Sequence, residues 1–262
     1  MSASSGEPRT YHLVTLGCPK NDVDSDKLEG TLVADGLVVS NDVESADLVV
    51  VNTCAFIDEA RRESIDTILD VADRRRAGSE LVVTGCLAER HGDELAVELA
   101  DEVDRVAPFG AALTAATPVA LGPTRRAPDF DLLNLPRPRS PRPWAYVKIA
   151  EGCDRACGFC AIPSFRGPQR RRSIPAVLDE VRQLDAREIV LVAQDLAAYG
   201  RDQGVGERAI VPLVRQVAER VDRVRLLYLY PSDLTDELVD TVIATGVPYF
   251  DLSLQHVAPA LL

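Results

Sequence analysis

The chain has 262 residues, 46% of them hydrophobic, and a net charge of −12 at pH 7. This length allows two domains with their own cores, and the absence of a long apolar run argues against a transmembrane helix. The polar residues 1–9 lack the apolar core of a signal peptide, so a cytoplasmic protein with no membrane partner is expected.

The acidic excess lies in the first part of the chain. Residues 1–108 hold 23 acidic and 10 basic side chains, whereas the two signs nearly cancel in the rest. An acidic surface repels nucleic acid and suits a basic protein partner. Solubility alone also explains such a surface.

Residues 10–107 alternate predicted strands and helices, which indicates a parallel sheet with helices on both faces. The first half of this series has a strand, a loop, a helix and a second strand, predicted over residues 11–16, 17–21, 28–33 and 48–51. The second half has a helix, a strand, a short helix and a last strand, predicted over residues 57–72, 81–84, 93–99 and 103–107.

Residues 108–143 contain eight of the 17 prolines and are predicted to form a linker. A second β/α series begins at Trp144. Its strands are predicted over residues 145–150, 188–193, 224–230 and 249–254, and its helices from Ser173 and over residues 210–221 and 233–244. Four strands do not close a barrel, so we expect a partial (β/α) barrel, incomplete at the C-terminus, and a longer natural protein.

Three closely spaced cysteines, Cys153, Cys157 and Cys160, follow the first strand of the second series. Cytosolic thiols stay reduced, which favours metal binding or catalysis over disulfides. Three thiolates can hold three irons of a 4Fe–4S cluster and leave the fourth iron open to the amino and carboxylate groups of a small molecule. The alternatives are a zinc site, for which no fourth ligand lies nearby, and a chance triplet.

A second, widely spaced set consists of Cys18, Cys54 and Cys86. Each follows the carboxyl end of a predicted parallel strand, the edge at which open α/β sheets bind ligands. Three loops on one edge can bring the thiols together. The alternative is three buried structural cysteines, since cysteine is a frequent core residue.

These residues resemble a known family. The segment Cys153-x-x-x-Cys157-x-Phe159-Cys160 resembles the motif of the radical S-adenosylmethionine superfamily. Leu16–Asn21, Val51–Cys54 and Thr84–Cys86 resemble the methylthiotransferase N-terminal domain. Five segments are similar to the branch that modifies a ribosomal protein: Gly17–Asn21, Ile162–Gly167, Ala193–Asp195, Leu226–Pro231 and Leu254–His256. The chain departs from the family at residues 251–254, which lack the usual proline, and it lacks the last barrel strands and the TRAM domain.

The resemblance implies a methylthiotransferase N-terminal domain over residues 10–107, the linker over 108–143 and a partial radical SAM domain over 144–262. It implies S-adenosyl-L-methionine and two 4Fe–4S clusters as cofactors, with thiolate ligands from both cysteine sets. Cys153, Cys157 and Cys160 would ligate the radical SAM cluster. Cys18, Cys54 and Cys86 would ligate an auxiliary cluster.

The implied reaction is methylthiolation of the β-carbon of an aspartate in small-subunit ribosomal protein number twelve. A 5′-deoxyadenosyl radical would take hydrogen from that carbon, and the auxiliary cluster would carry the methylated sulfur. The implied partners are the ribosomal protein, free or on the assembled small subunit, and an electron donor. Two other functions remain open: a tRNA methylthiotransferase, and a non-catalytic iron–sulfur redox or carrier protein.

Several further residues have two interpretations each. Phe159 packs against the bound nucleotide or serves ordinary loop packing. Arg166 and the run Arg170–Arg172 form a solvated face or contact the substrate backbone or ribosomal RNA. The strand-ending residues Gln194, Asp195, Gln255 and His256 lie where active-site residues tend to lie in barrels.

Overall fold

The computed structural model describes residues 8–114, 131–139, 142–201, 209–254 and 258. Its contacts divide the chain into two compact units, one ending at Arg137 and the other beginning at Pro138. In the described parts of the chain, no helix combines the length and the apolar character that a membrane span requires.

The first unit is built on a five-stranded parallel sheet. The strands are β1 (Thr10–Thr15), β2 (Val38–Val39), β3 (Leu48–Thr53), β4 (Glu80–Gly85) and β5 (Arg105–Val106), in the order β2-β1-β3-β4-β5. The central strand β3 is buried along its whole length. Its unbroken apolar run is typical of a parallel strand that is covered on both faces.

Three helices cover this sheet: α1 (Pro19–Ala34), α2 (Asp58–Arg74) and α3 (Cys86–Glu98). Helix α1 begins directly after Cys18, so the loop predicted through Asn21 is wrong beyond Cys18. Proline suits the first helical turn because no N–H is needed there. Helix α3 begins at Cys86 rather than near Asp93. A non-helical His91 (φ −131°, ψ 27°) interrupts it and obscured its first turns in the sequence pattern.

The second unit contains a three-stranded parallel sheet and a two-stranded antiparallel pair. The strands are β6 (Trp144–Lys148), β7 (Ala150–Glu151), β8 (Arg170–Arg171), β9 (Glu188–Val192) and β10 (Arg223–Leu226). The helices are α4 (Ile162–Arg166), α5 (Ile174–Leu184), α6 (Ile210–Ala218) and α7 (Asp236–Ala244). The parallel order β10-β9-β6 places strands that follow each other along the chain side by side, as in a β/α barrel. The predicted α/β fold is confirmed.

The end of the second unit differs from the prediction. The strand predicted over residues 249–254 is reduced to an isolated parallel bridge between Leu229 and Leu252. Strand β10 ends at Leu226, and Tyr228 has a φ of +65°, which interrupts an extended run. The antiparallel pair β7–β8 and helix α4 were not predicted, because their segments are too short to show a period.

Candidate metal centres

The first cysteine set lies at one edge of the first sheet. Cys18 is the residue before α1, Cys54 follows β3, and Cys86 opens α3. Their strands β1, β3 and β4 are parallel neighbours, so all three thiols belong to loops at the carboxyl edge of the sheet. Cys54 and Cys86 are buried and Cys18 is half-buried.

The buried side chain of Asn21 connects all three of these loops. Its Nδ2 donates to the carbonyl oxygens of Leu16 at 3.0 Å and Thr53 at 2.8 Å. Cys86 Sγ donates to its Oδ1 at 3.6 Å. One amide in the first turn of α1 therefore contacts the segments that carry Cys18, Cys54 and Cys86, and the structure brings these segments together.

Two glycines allow this close approach. A Cβ atom at Gly17 would lie 2.7 Å from Cys54 Cβ and 2.9 Å from Cys54 Sγ, and one at Gly85 would lie 2.5 Å from the Thr53 nitrogen and oxygen. Both glycines also have positive φ, +97° and +95°, which side chains other than glycine rarely adopt. Only glycine fits at either position.

The Cys54 backbone is held independently of its thiol. Ser64 Oγ, on α2, accepts from the Cys54 nitrogen at 3.0 Å and donates to the Cys54 oxygen at 2.9 Å. Ser64 is fully buried. The thiol lies beside the loop that carries Cys18, because Cys54 Sγ would be 2.9 Å from a Cβ at Gly17.

The second cysteine set lies in the loop between β7 and α4. Cys153 is buried, and Cys157 and Cys160 are half-buried. The Cys153 nitrogen donates to the Gly167 oxygen at 3.0 Å, and the Cys160 nitrogen donates to the Cys157 oxygen at 3.0 Å, which closes a tight turn. Burial raises the pKa of the Cys153 thiol, so metal binding there must displace a proton.

Each cysteine set offers three thiols, the donor type that ligates iron–sulfur clusters. Among the described residues, no three or more His, Cys, Asp or Glu side chains stand close enough together to hold one metal ion. Each thiolate of a 4Fe–4S cube binds a different iron, so its ligands need not meet around one point. The soft sulfur donors are the ligand type of an iron–sulfur group, and among the described residues the donor set does not match a single closed ion site.

A buried charge network, which the sequence did not reveal, lies directly before Cys153. Glu151 accepts hydrogen bonds from three side chains. Lys148 Nζ and Gln194 Nε2 each donate to one carboxylate oxygen at 2.6 Å, and Arg166 Nη1 lies 2.9 Å from both oxygens. Burial raises the pKa of Glu151, but Arg166 and Lys148 lower it by more, so the net pKa lies well below its usual value. Glu151 is therefore a carboxylate and joins β6, α4 and the end of β9.

The arginines after the second cysteine set are not one solvated face. Arg166 and Arg172 are buried, and Arg172 pairs with Glu180 on α5. Arg170 is exposed and Arg171 half-buried. For Arg166 and Arg172, the prediction of a solvated or RNA-contacting side chain is wrong, because each reaches a buried carboxylate.

Two buried acceptors lie at the end of β9. Gln194 Oε1 and Asp195 Oδ1 have no hydrogen-bond partner among the described residues. An acceptor shielded from water in this way favours a ligand that brings N–H or O–H donors. Phe159, in the cysteine loop, is 67% exposed and packs in no core. Gln255 and His256 lie outside the described residues.

Comparison with known families accounts for most of the chain. Residues 10–107 match the family described as "Uncharacterized protein family UPF0004", and residues 147–262 match the Radical SAM superfamily. Among solved structures, the cobalamin-dependent S-adenosylmethionine radical enzyme OxsB, with aqua-cobalamin and S-adenosylmethionine bound, aligns over 92% of this chain and 43% of that one, with a TM-score of 0.51. At 12% identity this likeness concerns the fold alone.

Curated relatives match both units in one stretch. The chain is 45% identical over 274 residues to "Ribosomal protein uS12 methylthiotransferase RimO" from Sorangium cellulosum, covering 97% of this chain and 56% of the relative. It is 39% identical over 308 residues to the protein of the same name from Kineococcus radiotolerans, covering 100% of this chain and 63% of the relative. The chain thus spans somewhat more than half the length of these relatives. The second unit is thus similar to the Radical SAM superfamily, and the two units together are similar to the corresponding part of these methylthiotransferases.

Proposed function

We propose that this chain carries the cofactor-binding units of an enzyme that methylthiolates an aspartate of ribosomal protein uS12. One observation carries the proposal: each unit presents three cysteines where strands end, in three loops after the parallel strands β1, β3 and β4 in the first unit and in the single loop after β7 in the second. The similarity to RimO proteins along both units supports the substrate.

In this proposal the loop thiols of Cys153, Cys157 and Cys160 ligate a 4Fe–4S cluster beside S-adenosyl-L-methionine. When bound and reduced, this pair supplies a carbon radical able to take hydrogen from an unactivated C–H bond. The Glu151 network keeps β6, α4 and the end of β9 together beneath the loop. Gln194 Oε1 and Asp195 Oδ1 would accept from the cofactor's donor groups, and the exposed Phe159 ring would pack on its nucleotide.

Cys18, Cys54 and Cys86 ligate the auxiliary cluster that holds the sulfur to be transferred. Asn21 sets the spacing of their three loops before the cluster binds. The acidic excess of the first 108 residues suits a ribosomal protein, which is basic because it binds RNA. A ribosomal substrate places the enzyme in the cytoplasm, and the reaction requires an external electron donor.

Iron content tests the ligand assignment. The anaerobically reconstituted chain should bind about eight irons and eight sulfides, the content of two cube-type clusters. Serine at Cys18, Cys54 and Cys86 together should halve the count, and so should serine at the other three cysteines. An unchanged count in the first triple variant would make those cysteines structural.

Product analysis tests the reaction. The reduced, reconstituted protein should release 5′-deoxyadenosine from S-adenosyl-L-methionine, and uS12 should gain a methylthio group at one aspartate, detected by peptide mass spectrometry. Modification of tRNA alone would assign the enzyme to the tRNA branch. If the fully loaded protein releases no 5′-deoxyadenosine, a redox or carrier protein is the better assignment.

A further inference from the structure

Arg155 lies inside the second cysteine loop, between Cys153 and Cys157, and its guanidinium group reaches two carboxylates. Its Nε donates to Asp195 Oδ2 at 2.6 Å, and its Nη2 pairs with Asp233 Oδ2. The guanidinium carbon also lies 3.9 Å from the centre of the Tyr230 ring. The side chain is thus engaged on two edges and one face, which an arginine can do and a lysine cannot.

The two carboxylates belong to different elements of the second unit. Asp195 follows β9, and Asp233 lies in the short 3₁₀ turn after β10. Both carboxylates are nearly buried, with side-chain exposures of 5% and 7%. Asp233 is itself oriented by Arg201, which donates to its other oxygen at 2.5 Å. Arg155 therefore connects the cysteine loop to the segments that follow two neighbouring strands, β9 and β10.

The backbone of the same residue contacts the first thiol. The Arg155 nitrogen donates to Cys153 Sγ at 3.5 Å. Because the side chain fixes the position of Arg155, it also fixes the direction in which this N–H points toward the sulfur. Cys153 is also held through its own nitrogen, which donates to the Gly167 oxygen.

We propose that Arg155 is the positioning residue of the cysteine loop: it fixes Cys153–Cys160 to the segments after β9 and β10 so that the thiols are arranged before a cluster binds. The proposal rests on the proposed function only in treating these thiols as ligands. Its contribution is structural order in the loop, through Asp195, Asp233 and Tyr230.

The test compares thiol reactivity in the metal-free, full 262-residue chain. Alkylation of Cys153 by iodoacetamide, quantified by peptide mass spectrometry, should be about tenfold faster in Arg155→Gln than in the wild type, because loosening the loop exposes the buried thiol. Arg155→Lys should give a smaller increase, since an ammonium group does not bridge both carboxylates as a fork. Cys54 and Cys86, in the other unit, serve as internal references and should react at unchanged rates.

Arg182→Gln is the matched control variant, because Arg182 forms an exposed ion pair with Asp179 in the same unit. It should leave the Cys153 rate unchanged. Equal Cys153 rates in the wild type and Arg155→Gln would overturn the proposal, as would faster alkylation of Cys54 and Cys86 in parallel. If Arg155→Gln fails to fold by circular dichroism, Arg155→Lys decides the matter: a wild-type rate there contradicts the proposal.

Iron loading separates this proposal from the proposed function. After reconstitution, Arg155→Gln should hold about half the iron of the wild type, with the cysteines of the first unit still loaded. A wild-type chain that binds no iron would refute the proposed function, while the alkylation rates would still test Arg155.

Discussion

Asn21 shows how much one buried side chain contributes to the first cysteine set. Its amide satisfies two carbonyl oxygens and contacts a thiol, and the side chain is fully buried. It contacts the backbone of two loops and the thiol of Cys86. Removal of the Asn21 amide therefore keeps all three cysteines but disturbs their arrangement.

Asn21→Ala should lower the free energy of unfolding of the first unit by about 3 kcal/mol, because the buried Thr53 carbonyl and the part-buried Leu16 carbonyl lose their donor. Hydrogen exchange of β3 and β4 amides, followed by mass spectrometry, measures this loss in the first unit alone. Asn41→Ala, at an exposed position, should change it by less than about 0.5 kcal/mol. Equal protection in both variants would show that Asn21 does not hold the loops.

In the second unit, Glu151 is the buried side chain that connects the segments next to the cysteine loop. Glu151→Gln should destabilise that unit by about 3 kcal/mol, because the buried cations Lys148 and Arg166 lose their compensating charge. The single tryptophan, Trp144, lies in β6, so its fluorescence during urea unfolding reports this unit. Asp179→Asn breaks an exposed pair with Arg182 and should shift the curve by less than about 0.5 kcal/mol. Coincident curves for the two variants would contradict the buried-charge argument.

At the scale of the elements, the strand-to-loop junctions determine how closely the cysteine loops approach. Strand β4 ends at Gly85, and the next residue, Cys86, already opens α3. The turn is tight because Gly85 adopts a positive φ and lies against Asn52 and Thr53 at the end of β3. Cys86 reaches the sheet edge only through this junction.

Gly85→Ala should therefore cost about 3 kcal/mol or more, from backbone strain and from the clash of its Cβ with the neighbouring strand. Gly78→Ala measures the backbone strain without the clash, because Gly78 also has a positive φ (+84°) but no atom lies within 4 Å of an added Cβ. It should cost about 1–2 kcal/mol. Thermal melts of both variants by circular dichroism measure the difference. Similar losses for both would mean that the close approach at Gly85 is unimportant.

At the scale of the whole molecule, part of the predicted linker belongs to the first unit. Lys27 is fully buried on α1 and donates to the Leu133 oxygen, and Arg137 pairs with Asp26 at 2.6 Å. Leu113 and Leu133 are buried as well. The described residues on both sides of 115–130 thus contact the same unit.

A fragment of residues 8–137 should consequently melt at least about 10 °C above a fragment of residues 8–107. The shorter fragment loses the burial of Leu113 and Leu133 and leaves Lys27 without the Leu133 carbonyl. Scanning calorimetry of the two fragments checks this. Equal melting temperatures would show that the segment adds nothing to the stability of the unit.

The sequence alone determined which predicted strands the cysteines follow. Alternating strands and helices imply parallel sheets, and the carboxyl ends of parallel strands share an edge, so cysteines after successive strands predict one site. The tight set, Cys153 to Cys160, is a local pattern that needs no folding argument. Its resemblance to a family was likewise readable from a few contiguous segments.

Only the tertiary structure decided what holds these cysteines. Arg155 meets carboxylates 40 and 78 residues away, and Arg166 meets one 15 residues before it. Such pairs leave no periodic pattern and no fixed spacing in the sequence, because they form between side chains that only the fold brings together. The first turns of α1 and α3 also contact the end of β3, where Asn21 Nδ2 donates to the Thr53 oxygen and the Leu87 nitrogen donates to Thr53 Oγ1.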